Sequence, residues 1–536
     1  MKTNNIIKLI LSGALAITLT ACNDFLDVQP DNRTTIDSSD KAAKMLVSAY
    51  SDHQPWLFLE IASDNCDDHG NNFSGLDPYY EECFRWAPPM ETDNSSPYNT
   101  WSNQYGAIAN ANQVLLALDN MEMTDDLRAI RGEALVCRAY AHFILVNVFC
   151  QHYDPAHPED LGIPYMTVAE TTLNPKYERG TVHEVYALIE KDLEEGLPLI
   201  NDALYSVPKY HFNTRAANAF AARFYLFYQK WEKAVQHATA AISTNPKPML
   251  RDYIELANYP MSSGSTMNTG AIYYVSTDLQ CNFLLGTDYS YAGRYFGGYS
   301  TAGTMNFNHG QMVSEYESVR AIGYPFAPSD NVVPAWRRAP LRFINGNDKV
   351  LLPRVPYIFE YTDAVAGTGY RRAVYPLFTA DETLLTRAEA YIMLKDYASA
   401  LADMNLYVEN VCSSYRELTE ESVMAWAEKT PYYNVDDLDN LVLTPKKALN
   451  PAFPIDAEQE AMVHVLLSLR RHETLHCGLR WFDVKRFGIE IYRRTLTSNN
   501  LGILSIDDKL VVRDPRRAKQ LPNEVLSAGL EPNPTK

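Results

Sequence analysis

The chain has 536 residues, 47 basic against 66 acidic side chains for a formal net charge of −19, and eight cysteines. Phosphate recognition needs clustered positive charge, so this balance argues against a nucleic-acid partner. With no CxxC pair and no zinc-ribbon spacing, the cysteines argue against a disulfide scaffold.

The N-terminus carries Lys2 and Lys8 around a mostly apolar stretch, Ile6 to Ala21, with the length of a signal-peptide core. No later segment reaches about 18 apolar residues without charges. Leu19-Thr20-Ala21-Cys22 resembles the lipobox of bacterial lipoproteins. The expectation is a signal segment over 1–21, lipidation at Cys22, and a body from 22 to 536 that meets the membrane through its lipid anchor only.

Helical period appears first over 103–150, where "NQYGAIANANQVLLALDNM" and "LRAIRGEALVCRAYAHFILVNVF" predict an antiparallel pair. Thr181 and Glu184 then form a capping-box pattern opening a helix, with Pro198 near its end. In "AARFYLFYQKWEKAVQHATAAISTNP" the small residues Ala222, Ala234 and Ala241 precede Pro246 at a spacing similar to a tetratricopeptide repeat. A weaker copy places Ala388 and Ala400 at the same separation, with Tyr407 in the third small position. Between the copies, residues 251–380 are rich in Gly, Ser, Asn, Tyr and Pro, with short runs such as "GAIYYVSTD" that read as strands. The predicted architecture is mostly α: a tetratricopeptide-like helical-pair scaffold over about 40–250 and 380–500, carrying a large irregular loop and short-strand insertion over about 251–380.

The blocks "CNDFLDVQP", "WSNQYGAIANANQVL", "RGEALVCRAYAHFILVNVF", "LGIPYM", "ERGTVHEVYALIEKDLEEGLPLI", "RHETLHCGLRWFDVKRFG" and "RAKQLPNEVL" follow one another in an order that resembles the SusD/RagB nutrient-binding outer-membrane lipoproteins of the Bacteroidetes. The resemblance implies a cell-surface lipoprotein that binds an oligosaccharide, or less often a peptide, and delivers it to a SusC-like TonB-dependent transporter, with no cofactor and no catalysis. Asp24 and Asp27 behind Cys22 resemble the signal that sends such lipoproteins outward.

One motif points elsewhere. "HETLH" places His472, Glu473 and His476 as in H-E-x-x-H, in which two histidines on one helix face bind zinc beside a general base. The third ligand is missing, because Leu479 and Phe482 stand where a metzincin has Gly and His. The same stretch resembles a family block, E-x-x-x-x-G-x-R-x-F-D, at Glu473, Gly478, Arg480, Phe482 and Asp483. A zinc hydrolase and a protein-binding helical-repeat adaptor are the alternative readings.

The expected ligand site combines aromatic faces for sugar C–H patches with polar side chains for hydroxyls. Two segments supply both: Asp64, Tyr79, Tyr80, Arg85 and Trp86 in the first, and Tyr289, Tyr291, Arg294, Tyr295 and Tyr299 in the second. Alternate tyrosines at 289, 291 and 295 equally fit one face of a strand. The acidic stretch "SDNCDDHGNN" reads as a solvated turn rather than a calcium loop, since it lacks EF-hand register.

Overall fold

The helical scaffold begins with a pair whose apolar stripes are too wide for a surface helix. Pro97–Leu118 and Asp125–Phe149 form the expected antiparallel hairpin, and every residue from Gly132 to Phe149 in the second helix is buried. Its N-cap, Thr124, accepts from the amide of Leu127, satisfying a donor the helix leaves open. This helix is long and apolar enough to cross a membrane, yet its apolar window is wholly buried, which marks it as a core helix. The computed structural model describes residues 36–70, 78–88, 94–170, 176–260, 265–296, 306–342 and 350–535. Cys22, Asp24, Asp27 and the signal segment lie outside the described residues, as does Tyr299.

The capping box forms as read: Thr181 accepts from the amide of Glu184, whose carboxylate accepts from the amide of Thr181, and the helix Val182–Gly196 follows. The two repeat hairpins are Thr214–Phe227 with Trp231–Ile242, and Ala380–Met393 with Tyr397–Val411. Ala222, Ala234, Ala241, Ala388 and Ala400 are all 0% exposed, so the small residues sit where two backbones approach. Two pairs of buried charges join neighbouring helices: Arg138 holds Asp192 at 2.6 and 2.7 Å, and Arg387 holds Asp403 at 2.8 Å through both nitrogens. Removing one partner of such a pair would strand a buried charge.

The insertion contains a three-stranded antiparallel sheet: β1 (Asn282–Asp288), β2 (Ile358–Asp363) and β3 (Thr368–Thr379), in the order β1-β3-β2. The run "GAIYYVSTD" is not a strand. Residues Ser265–Tyr274 are helical, with Ala271 and Tyr274 buried three apart while Ile272 is 51% exposed, a helical rather than an alternating pattern. All seven cysteines among the described residues are free and buried, so no disulfide ties these segments together.

Candidate functional site

Where β1 ends, its chain turns into the short helix Ala292–Tyr295, so the tyrosines that follow do not continue one strand face. Asp288 pairs in register with Ala373 of β3, which brings Tyr289 beside Arg372. The Arg372 guanidinium lies 4.1 Å from the centroid of the Tyr289 ring and donates to its hydroxyl. Tyr370 meets the same ring edge-on at 5.6 Å, and His53 lies tilted at 5.5 Å. His53 in turn pairs with Asp52 at 2.8 Å, while Glu360 on β2 pairs with Arg372. Tyr370 remains 52% exposed, so these rings and ions form a face open to solvent.

Tyr291 takes a different partner. Arg371 donates to its hydroxyl at 2.8 Å and lies 4.6 Å from its ring centroid. Successive side chains of a strand leave opposite faces, so Arg371 and Arg372 carry the two tyrosines to opposite sides of β3. Phe359 sits opposite Arg371 in register and meets Tyr361 at 4.8 Å, giving that second side its own rings.

The remaining expected residues are not brought to this face. Tyr295 is 1% exposed and packs 4.8 Å from Tyr80. Tyr80 lies 5.0 Å from Tyr79, whose hydroxyl donates to the carbonyl of Ser95 at 2.5 Å. Trp86 is also buried, with its indole donating to Ala62 at 2.8 Å and the Arg493 guanidinium 4.3 Å from its ring. Arg85 is exposed and pairs with Glu81 at 2.9 Å, away from the Tyr289 rings in the chain's own local helix turn. Arg294 is half-buried.

Asp64 is a structural anchor rather than a surface acceptor. Its carboxylate receives Arg480 at 2.8 and 2.9 Å and Lys447 at 3.0 Å. Burial alone would raise its pKa, but Arg471, Arg480 and Lys447 outweigh that and hold it well below the usual carboxylate range. Asp67 is likewise buried against Arg494, at 2.8 and 2.9 Å. At Asp64 and Asp67 the acidic stretch is therefore not a solvated turn, because arginines already occupy the two carboxylates. Among the described residues no group of three or more His, Cys, Asp or Glu side chains is placed to hold a metal ion.

The residues missed from sequence are His53, Tyr370 and Arg372. The last two lie in "GTGYRRAVYPLF", where a glycine-bounded turn followed by alternation was the available hairpin signal. His53 had none, since it meets Tyr289 only through the fold.

Residues 24–226 match the family model SusD-like_3, described as starch-binding and associating with the outer membrane. No curated protein matches the sequence. Among solved structures, a SusD superfamily protein from Bacteroides fragilis aligns over 92% of this chain and 99% of its own, at 18% identity and a TM-score of 0.59. One from Bacteroides thetaiotaomicron aligns over 93% and 100%, at 18% identity and a TM-score of 0.58. A SusD-like carbohydrate binding protein from Bacteroides vulgatus aligns over 92% and 96%, at 14% identity and a TM-score of 0.58.

The chain has the fold of these SusD superfamily structures.

In this SusD-like fold the 473–483 block is a joint, and it does not build a zinc site. The helix Ala457–Thr474 ends between the two histidines, and His476 has a φ of +70°, so they do not share a helix face. His472 is 1% exposed and its Nδ1 meets the Tyr407 hydroxyl at 2.9 Å, while His476 Nε2 accepts from the Leu352 amide at 3.2 Å. Glu473 accepts from the hydroxyls of Tyr253 and Tyr407, each at 3.0 Å. Gly478 has a φ of +73°, and a Cβ there would come within 2.6 Å of the Trp56 carbonyl, so backbone contact requires glycine. Arg480 holds Asp64, Phe482 meets Trp56 edge-on at 6.2 Å, and Asp483 accepts from Arg470 of the preceding helix at 3.4 Å. Each position of the block thus fastens another segment to the core.

Proposed function

We propose that this SusD-like chain is a cell-surface lipoprotein, anchored through Cys22, that binds an oligosaccharide and delivers it to a SusC-like TonB-dependent outer-membrane transporter. The observation that carries the binding step is the face formed by Tyr289, Tyr370, His53 and Arg372, in which the Tyr289 ring is held by Arg372 and the Tyr370 ring, edge-on to it, belongs to a residue that is 52% exposed. A sugar presents C–H patches to such rings and hydroxyls to Asp52, Glu360 and the guanidinium, which serve as acceptors and donors. The family description and the carbohydrate-binding structural relative support the ligand class.

The reading needs no catalytic group or cofactor. Titrating the purified protein with a panel of soluble oligosaccharides tests it. At least one should bind saturably, and more weakly when Tyr289 or Tyr370 is replaced by alanine, whereas a protein-binding adaptor would show no affinity for any of them. Recovery of a large outer-membrane barrel with the tagged protein tests the delivery step.

A further inference from the structure

Two helices outside the repeat hairpins, Glu420–Lys429 and Ala457–Thr474, border an open groove of about 540 Å³. The first lines it with Glu421, Met424, Ala425 and Glu428, whose spacing of three, four and seven puts them on one face, while Val423 and Trp426 on the opposite face are buried. The second lines it with Ala457, Glu460, Ala461 and His464 at the same spacing. Alanines on both walls leave the room that a third helix needs to seat its side chains between two others. Large apolar surface also meets solvent here, since Met424 is 36% and Tyr432 45% exposed.

The charge left over in the groove is negative. Lys446, the one lysine or arginine among the described residues that line it, is spent: its Nζ donates to the Ala427 carbonyl at 2.6 Å and lies 4.0 Å from the centroid of the Tyr432 ring. Glu460 accepts from the Tyr432 hydroxyl at 2.7 Å and lies 3.4 Å from His464. Glu421 and Glu428 are exposed, and among the described residues their carboxylates enter no ion pair or hydrogen bond. They stand two helical turns apart, about 10 Å along the axis at about 1.5 Å per residue. An occupant must therefore bring apolar side chains flanked by positive charge at that spacing. The chain's own N-terminal stretch does not, because "CNDFLDVQPDNRTT" at 22–35 holds three aspartates and one arginine. A second copy, at a net charge of −19, would be repelled as a whole. We propose that this groove docks a cationic amphipathic helix of a partner protein, with two lysines or arginines seven residues apart on Glu421 and Glu428 and apolar side chains between them on Met424, Ala425 and Tyr432. It shares no residue with the glycan face at Tyr289 and stands whether or not that face binds a glycan.

The probes are fluorescein-labelled peptides of about 20 residues, long enough to hold helix in water, built of alanine with lysines seven apart and with leucine, methionine or phenylalanine between them on the same face. Fluorescence anisotropy with the purified protein should show saturable one-to-one binding of at least one. Glu421→Lys with Glu428→Lys should weaken it roughly tenfold or more, since two attractions become repulsions, and Ala425→Trp should abolish it by filling the groove. All three positions are exposed, so Tm should hold. Glu122→Lys with Glu232→Lys changes the net charge equally at exposed sites outside the groove and should leave affinity within about twofold. The same peptides with proline at the centre, which breaks the helix, should not bind. No binding by any lysine peptide, equal binding by the proline forms, or an affinity that ignores the groove variants or falls as far with the remote pair, would overturn the proposal.

Discussion

Arg372 both covers the ring of Tyr289, 4.1 Å from its centroid, and donates to its hydroxyl. A ring held by two contacts loses little rotamer freedom when a ligand stacks on it, so the cost of ordering it has been met before binding. Tyr289→Ala should therefore weaken oligosaccharide binding about tenfold, the equivalent of roughly 1.4 kcal/mol for one stacked ring. Tyr370→Ala should cost a similar factor with little change in Tm, because that residue is 52% exposed. Tyr289→Phe keeps the face and loses only the hydroxyl anchor, so its loss should be smaller. Calorimetric titration beside thermal melts separates the outcomes, and unchanged affinity in both alanine variants would place the glycan elsewhere.

A contrasting result is expected at Asp64, which three cations surround. Asp64→Ala would leave Arg480, Lys447 and Arg471 without their common acceptor inside the core, at a cost of about 3–5 kcal/mol. The loss should appear as a lower urea midpoint, with ligand affinity of the protein that remains folded unchanged. Tyr295→Ala belongs to the same class, since its ring packs against Tyr80 and the residue is 1% exposed. If Asp64→Ala kept full stability and lost only the glycan, Asp64 would be a ligand contact after all.

The scaffold was legible because its signals are local. Period, capping box and the small residues Ala222, Ala234, Ala388 and Ala400 all act within one hairpin, and the helices follow them. The face at Tyr289 was half legible: the tyrosine-rich stretch marked one side of it, whereas His53 and Tyr370 reach the ring from segments far away in sequence. Asp64 and Trp86 misled for a common reason. A carboxylate or an indole in a polar-looking loop reads as exposed until the arginines that bury it, Arg480 and Arg493, arrive from the other end of the chain. The H-E-x-x-H pattern failed differently, since the helix it presupposes stops at Thr474.

The anchor makes a separate prediction. Acyl chains supply the membrane affinity of a lipoprotein, and the one described helix long and apolar enough to cross a membrane, Asp125–Phe149, has its apolar window wholly buried. Cys22→Ser should shift the protein from the membrane fraction to the soluble fraction or leave it unprocessed, with glycan affinity of the purified protein intact. Unchanged membrane retention on fractionation would sink the lipidation reading.

His142 gives the fold a defined response to acid. Its ring stacks on Tyr165 at 3.7 Å, its Nδ1 lies 2.8 Å from the Arg138 carbonyl, and its Nε2 accepts from the Met166 amide at 3.0 Å. One nitrogen must donate and the other accept, which only the neutral ring does. Burial, reinforced by the charge of Arg138, lowers its pKa from 6.5 to about 3. Below pH 6.5 the unfolded chain therefore binds a proton that the folded chain refuses until about pH 3, so stability falls as pH falls through that window. The slope is about 1.4 kcal/mol per pH unit, or about 2 kcal/mol between pH 6.5 and 5. Glu60 and Asp288, raised by burial to about 7, act in the opposite direction, because each folds in its protonated form more readily than in its charged one. Their contribution is common to wild type and variant and cancels in the difference. His142→Gln retains a donor and an acceptor at this position but does not titrate. Urea unfolding at pH 6.5 and pH 5 should show the wild type losing about 2 kcal/mol more than the variant over that interval. Parallel losses in the two proteins would mean that His142 is protonated in the native state.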